Sequence, residues 1–177
     1  MRRIQVVAAI ALVGLAVAGL ALAGMNNNSS IHLTGQLEVP INDSKGQGQA
    51  IFRIAADGES IDYRLIAANI ENVVVAHIHC AGPGVNGPVT VFLYGPVDAG
   101  GGRTDGVLSA GTITAADVRP VADSATCPGG IETGDLDAVI ALLQNGGGYV
   151  NVHTNDGVAP TNTGPGDLAA GEIRGDT

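Results

Sequence analysis

The chain has 177 residues, with 17 acidic side chains against 8 Lys and Arg and a formal net charge of −9. A surface of that sign repels nucleic-acid phosphates and anionic headgroups, and no basic cluster reverses it locally, so nucleic-acid binding is excluded. With 27 Gly, 2 Phe, 3 Tyr and 0 Trp, the core must come from Val, Ile, Leu and Ala, which suits short strands and tight turns rather than a helix bundle.

The N-terminus reads Met1-Arg2-Arg3, then an apolar run from Ile4 to Leu22, then Ala21-Leu22-Ala23 before Gly24. A charged start, an apolar stretch and a small-residue cleavage pattern predict a signal peptide over residues 1–23. If it were retained, a run of roughly 20 residues could span a bilayer, so membrane attachment is expected only without cleavage. Cleavage removes Arg2 and Arg3 and no acid, taking the net charge from −9 to −11. Either way the remaining chain is expected outside the cytoplasm, secreted or at the cell surface. Residues 24–30, Gly-Met-Asn-Asn-Asn-Ser-Ser, have nothing to bury and are expected to be a disordered leader to a single domain over 31–177.

From Ile31 the period is two. Ile31, Leu33, Leu37 and Val39 alternate with polar residues up to Pro40, and Asn42 to Gly46 supplies a turn. Ala50, Phe52 and Ile54 form the next inward face, ending at Asp57-Gly58, a hairpin signal. A third strand sets Ile61, Tyr63, Leu65 and Ala67 inward. Strands Val73–His79 and Val89–Tyr94 flank a Gly/Pro-rich irregular loop, Ala81 to Pro88, and a weaker strand follows near Gly106–Ile113.

Two short helices are expected next. One starts at Thr114 with Asp117 as a capping box; the other follows Thr133, with Leu136, Val139, Ile140 and Leu143 at helical spacing before Gly146. Tyr149–Thr154 returns to strand, a loop runs from Asn155 to Asp167, and Ala169–Gly175 completes the chain. Seven or eight short antiparallel strands with one or two helical insertions predict an all-β sandwich or barrel.

Five stretches, in order, resemble the CHRD (chordin-type) domain: Leu33-Thr34-Gly35-Gln36-Leu37-Glu38-Val39-Pro40, Ala76-His77-Ile78-His79, Gly84-Val85-Asn86-Gly87-Pro88-Val89, Tyr149-Val150-Asn151-Val152-His153-Thr154 and Gly171-Glu172-Ile173-Arg174-Gly175. The resemblance runs from about Leu33 to Gly175, and the stretch Ala115–Asp135 departs from the pattern. It implies an immunoglobulin-like β-barrel in an extracellular setting and a binding or structural module, without fixing an activity or a partner. Function has to be argued from the site.

Residues two apart on a strand share a face, so His77 and His79 present their imidazoles together, and Tyr149, Asn151 and His153 likewise. If those strands are neighbours, His77, His79 and His153 could converge on Zn²⁺ or Cu²⁺. The alternatives are histidines that hydrogen-bond to the Gly82–Pro88 turn, or direct proton transfer. A metal held this way should weaken as the pH drops through roughly 6.5, where free imidazole protonates. His32 stands apart and is read as surface.

Glu172 and Arg174 share a face of the last strand and could orient a histidine from behind; the other reading is a surface ion pair worth under about 1 kcal/mol. The oxygen-rich loop from Asn155 to Asp167 fits no calcium-loop spacing and is read as a solvated turn. Cys80 and Cys127, the two cysteines of an exported chain, are expected to form a disulfide worth about 2–4 kcal/mol, against two free buried thiols or a metal ligand beside His79.

Three functions compete: an exported module that binds a metal ion or an extracellular protein, a metalloenzyme with superoxide-dismutase-like chemistry, and a metal-free adhesive domain. The second has the least support. A resemblance to copper/zinc superoxide dismutase is confined to architecture, and four histidines fall short of that enzyme's ligand set.

Overall fold

The computed structural model describes residues 27–177. The signal-peptide stretch and residues 24–26 of the expected leader lie outside the described residues. Eight strands follow in chain order: β1 (Asn28–Thr34), β2 (Gln47–Ile54), β3 (Ile61–Glu71), β4 (Val73–Cys80), β5 (Val89–Tyr94), β6 (Arg103–Ile113), β7 (Gly148–Thr154) and β8 (Ile173–Asp176). They form one antiparallel sheet in the order β5-β4-β7-β8-β1-β2-β3-β6.

The two ends of that sheet curl toward each other. Between them the hydroxyl of Tyr63 donates to the Leu93 carbonyl of β5 at 2.7 Å and lies 3.1 Å from Ser109 Oγ of β6. A side chain thus closes the seam where backbone pairing stops, and the result is the expected all-β, nearly closed barrel. Leu33, Phe52, Ile61, Leu65, Ile78, Val91, Val150, Val152 and Ile173 point inward and are buried, each worth about 1.5–3 kcal/mol relative to exposure.

Three local expectations change. β1 begins at Asn28, with Asn28, Ser29 and Ser30 paired to Arg53, Phe52 and Ile51, so the last three leader residues are strand. Ladder hydrogen bonds use the backbone, and polar side chains do not prevent them. Leu37 does not continue the inward alternation: Gly35–Leu37 is a 3-10 turn and Leu37 is 40% exposed. The Thr114–Asp117 capping box exists, but it closes only a 3-10 turn at Ala115–Asp117. Pro120 pushes the preceding residue out of helical conformation, so the chain leaves the turn extended.

The second helix forms as expected. α1 (Leu136–Asn145) buries Leu136, Val139, Ile140 and Leu143 and ends at Gly146, φ 81°. Its N-cap is Asp135 rather than Thr133, the carboxylate accepting the Ala138 amide at 2.9 Å. Cys80 and Cys127 are joined, with Cα atoms 5.4 Å apart, which ties the end of β4 to the segment between β6 and α1.

Candidate metal centre

β4 and β7 are neighbours, which supplies the adjacency that strand parity alone leaves open. His79 pairs with Tyr149, His77 with Asn151 and Val75 with His153. The inner faces of both strands are apolar; His77, His79, Tyr149, Asn151 and His153 stand on the outer face, with His153 diagonal to His77. The His77 ring centroid lies 5.3 Å from that of His79 and 5.1 Å from that of His153. One nitrogen from each of the three rings lies within 4.8 Å of the others.

An outer face is normally wet, yet His77 and His79 are only 8% and 6% exposed. Two loops bond to rings of the trio. In the first, residues 81–88, the Gly87 carbonyl accepts from His79 Nδ1 at 2.9 Å, and the Tyr149 hydroxyl accepts the Gly87 amide at 3.1 Å. Gly87 packs so closely on the Cys80 carbonyl that a Cβ there would collide with it. In the second loop, the Ala169 carbonyl accepts from His153 Nδ1 at 3.0 Å.

A carbonyl can only accept, so both Nδ1 atoms carry the proton and both Nε2 atoms present a lone pair. His79 Nε2 and His153 Nε2 are buried with no partner, and so is His77 Nδ1. Burial, reinforced by His153, His79 and Arg119, lowers the His77 pKa to about 3. Burial likewise lowers that of His79 to about 4, against the pull of the Gly87 carbonyl. His153 is also lowered by burial, with the Ala169 carbonyl opposing. The three rings are therefore neutral at pH 7, the form a metal requires.

Glu172, in the bend just before β8, and Arg174, on β8, are both buried, and neither hydrogen-bonds to a histidine. The Glu172 carboxylate accepts from Ser44 Oγ at 2.6 Å, Thr154 Oγ1 at 2.5 Å and the Gly166 amide at 2.8 Å, and so fixes the loop that carries Ala169. Arg174 donates to the carbonyls of Val85 and Gly82 at 2.9 and 3.2 Å and to Asp176 at 2.8 Å. Its guanidinium lies 3.5 Å over Tyr149, which stacks on His79 at 4.5 Å and 9°. Both residues act on the trio at one remove, by holding loops and a ring, and neither is a surface ion pair.

Sequence reading missed two members of this layer, Glu38 and Arg119. Glu38 is 4% exposed, and its pKa is raised to about 7, burial outweighing the nearby Arg174. Asn151 reaches toward it, Nδ2 to Oε2 at 3.5 Å. Arg119 lies 4.1 Å over the Phe92 ring, and Phe92 packs edge-on against His77 at 4.4 Å. Glu38 falls inside a quoted family stretch, which was the available signal; Arg119 had none. His32 is exposed on β1, opposite Gln49, as expected. In the loop from Asn155, the side chains of Asn155, Asp156 and Asp167 accept from Gly157, Val158 and Thr163, the pattern of a self-bonded turn.

Residues 29–160 match the family of the CHRD domain. No curated protein and no solved structure gives a significant match. The matched stretch spans nearly all of β1 through β7 and contains all three histidines, while β8, with Glu172 and Arg174 around it, lies beyond. By its sequence and its barrel, the chain belongs to the CHRD domain family.

Proposed function

We propose that this CHRD domain is an exported binding module that holds one Zn²⁺ or Cu²⁺ through His77, His79 and His153. The observation that carries the reading is three neutral imidazoles, each with a buried nitrogen that has no hydrogen-bond partner, brought together so that one ligand atom from each lies within 4.8 Å of the others. Buried polar atoms without partners are uncommon and call for a reason. Anchoring a ring through Nδ1–H to a carbonyl is how metal-binding histidines are usually oriented. The ligating atoms would be His79 Nε2, His153 Nε2 and His77 Nδ1.

With metal–nitrogen bonds of about 2.0–2.1 Å, tetrahedral geometry sets the nitrogens roughly 3.3 Å apart, so side-chain rotation must draw the rings together. Three ligands leave a further position open, which suits capture of an ion together with another ligand. The N-terminal export signal and the disulfide support an oxidising compartment beyond the cytoplasm. A superoxide-disproportionating role would need Cu²⁺ at this centre, and assay of Cu²⁺-loaded protein separates it from binding alone.

Calorimetry at pH 7.5 tests the reading with Zn²⁺ and Cu²⁺. Wild type should bind one ion per chain, His77→Ala and His153→Ala should weaken binding at least about tenfold, and His32→Ala should match wild type. If neither ion binds wild type, or if His32→Ala weakens binding as much as the others, the three histidines are structural.

A further inference from the structure

We infer that an ion in the histidine trio takes a small monoanion as its further ligand, paired with the guanidinium of Arg119. This rests on the metal reading above.

Two cations border the trio and they are placed very differently. Arg174 is buried, bonded to carbonyls and paired with Asp176. Arg119 is exposed, and the ion pairs among the described residues, Arg103–Asp105 and Arg174–Asp176, do not include it. Yet it is held in place. Its amide donates to the Thr90 carbonyl at 2.8 Å, its own carbonyl accepts from Thr90 Oγ1 at 3.2 Å, and its guanidinium carbon lies 4.1 Å from the Phe92 ring centroid. Phe92 sits opposite His77 in the β4–β5 register, so the guanidinium stands at the β5 side of the trio and its charge is felt by His77.

The cations nearest the three imidazoles are Arg119, felt by His77, and Arg174, felt by His79, while the carboxylates of this layer, Glu38 and Asp176, face Arg174, Asn151 and Tyr149 rather than the rings. A divalent ion would therefore keep its full charge in a largely desolvated site, next to a further cation. Burying uncompensated charge is costly. A monoanion bound to the ion and facing Arg119 cancels part of that charge from both sides, and the bound metal is the largest local charge available to attract it.

Azide is the probe, titrated into Cu²⁺-loaded protein and followed by its charge-transfer absorption. Wild type should saturate. Arg119→Gln should weaken azide about tenfold, as loss of a charge-assisted contact does, and Arg119→Lys should recover part of that loss. In azide-free buffer Arg119→Gln should bind Cu²⁺ as tightly as wild type or tighter, because a repelling cation has gone. Arg64→Gln, on the exposed face of β3, controls for general charge and should change neither affinity. Equal azide affinity in wild type and Arg119→Gln, or no azide binding by wild type, would overturn the inference and leave the metal reading standing. Failure of wild type to take up Cu²⁺ would overturn both.

Discussion

The outer face of this barrel carries two buried polar regions side by side, and they differ in one respect. Around β8, Glu172 and Arg174 have partners at nearly every position, and those partners hold two loops in place. Around β4 and β7, three imidazoles have one nitrogen each with none. The first region is built to be complete without a ligand. The second keeps nitrogens unpartnered in a place where leaving them so costs stability, and that contrast separates a scaffold from a site.

The largest expected effect falls on the complete region. Arg174→Met leaves the Val85 and Gly82 carbonyls and Asp176 without their buried partner and removes the cation stacked on Tyr149. Urea unfolding should show a loss of about 3–5 kcal/mol. A loss under about 1 kcal/mol would mean that the β8 region is not the scaffold described here.

Next comes the Cys80–Cys127 bond, whose ends are 47 positions apart in the sequence. A cross-link of that span should contribute about 2–4 kcal/mol. Thiol titration of unfolded, unreduced protein should find no free thiol, and reduction should lower the urea midpoint. The bond fastens the segment that carries Arg119, so reduction should also blunt the Arg119 effects before it affects ion uptake at the histidines.

The pH dependence sets the two regions against Glu38. His77 and His79 have folded values of about 3 and 4, well below the ordinary 6.5. Unfolding therefore takes up protons at these positions, and the stability they lend is lost as pH falls from about 6.5 toward 4. Glu38, raised to about 7 from 4.5, acts in the opposite sense, since its contribution is lost as pH rises from about 4.5 through 7. At pH 5 the histidines should prevail, with a net uptake of one to two protons on unfolding, on the order that linkage gives for these values. Urea unfolding at pH 5 and pH 6.5 should show lower stability at pH 5. Metal affinity should also survive below the pH 6.5 expected for free imidazole, because burial holds all three rings neutral below that value.

The smallest effect is the most diagnostic of a site. His77→Leu fills the same space without an unsatisfied nitrogen, so the metal-free protein should gain about 1 kcal/mol while losing ion binding. A clear loss of stability in metal-free His77→Leu would place the ring among the scaffold residues.

Much of this was legible in the sequence because it is local. Alternation gave the strands, and parity put His77 with His79 and Asn151 with His153. The α1 spacing also survived, down to Gly146. What the sequence hid depends on contacts between distant segments. Glu38 and Asn151 belong to different strand regions, and their burial together depends on residues 81–88 and 155–172 folding over the sheet. Arg119 sits in the stretch that departs from the family pattern, and its place beside His77 follows from backbone bonds to Thr90. Glu172 stands just before β8 and Arg174 within it, and their partners come from distant segments that no spacing along the last strand reveals.

The central claim can be tested atom by atom. Nitrogen-15 NMR of the imidazoles, recorded before and after one equivalent of Zn²⁺ at pH 7, reports which ring nitrogen carries a proton and which takes up the ion. His79 and His153 should keep Nδ1–H and shift at Nε2, His77 should shift at Nδ1, and His32 should not move. Shifts confined to His32, or loss of the Nδ1 protons of His79 and His153 on adding Zn²⁺, would contradict the account.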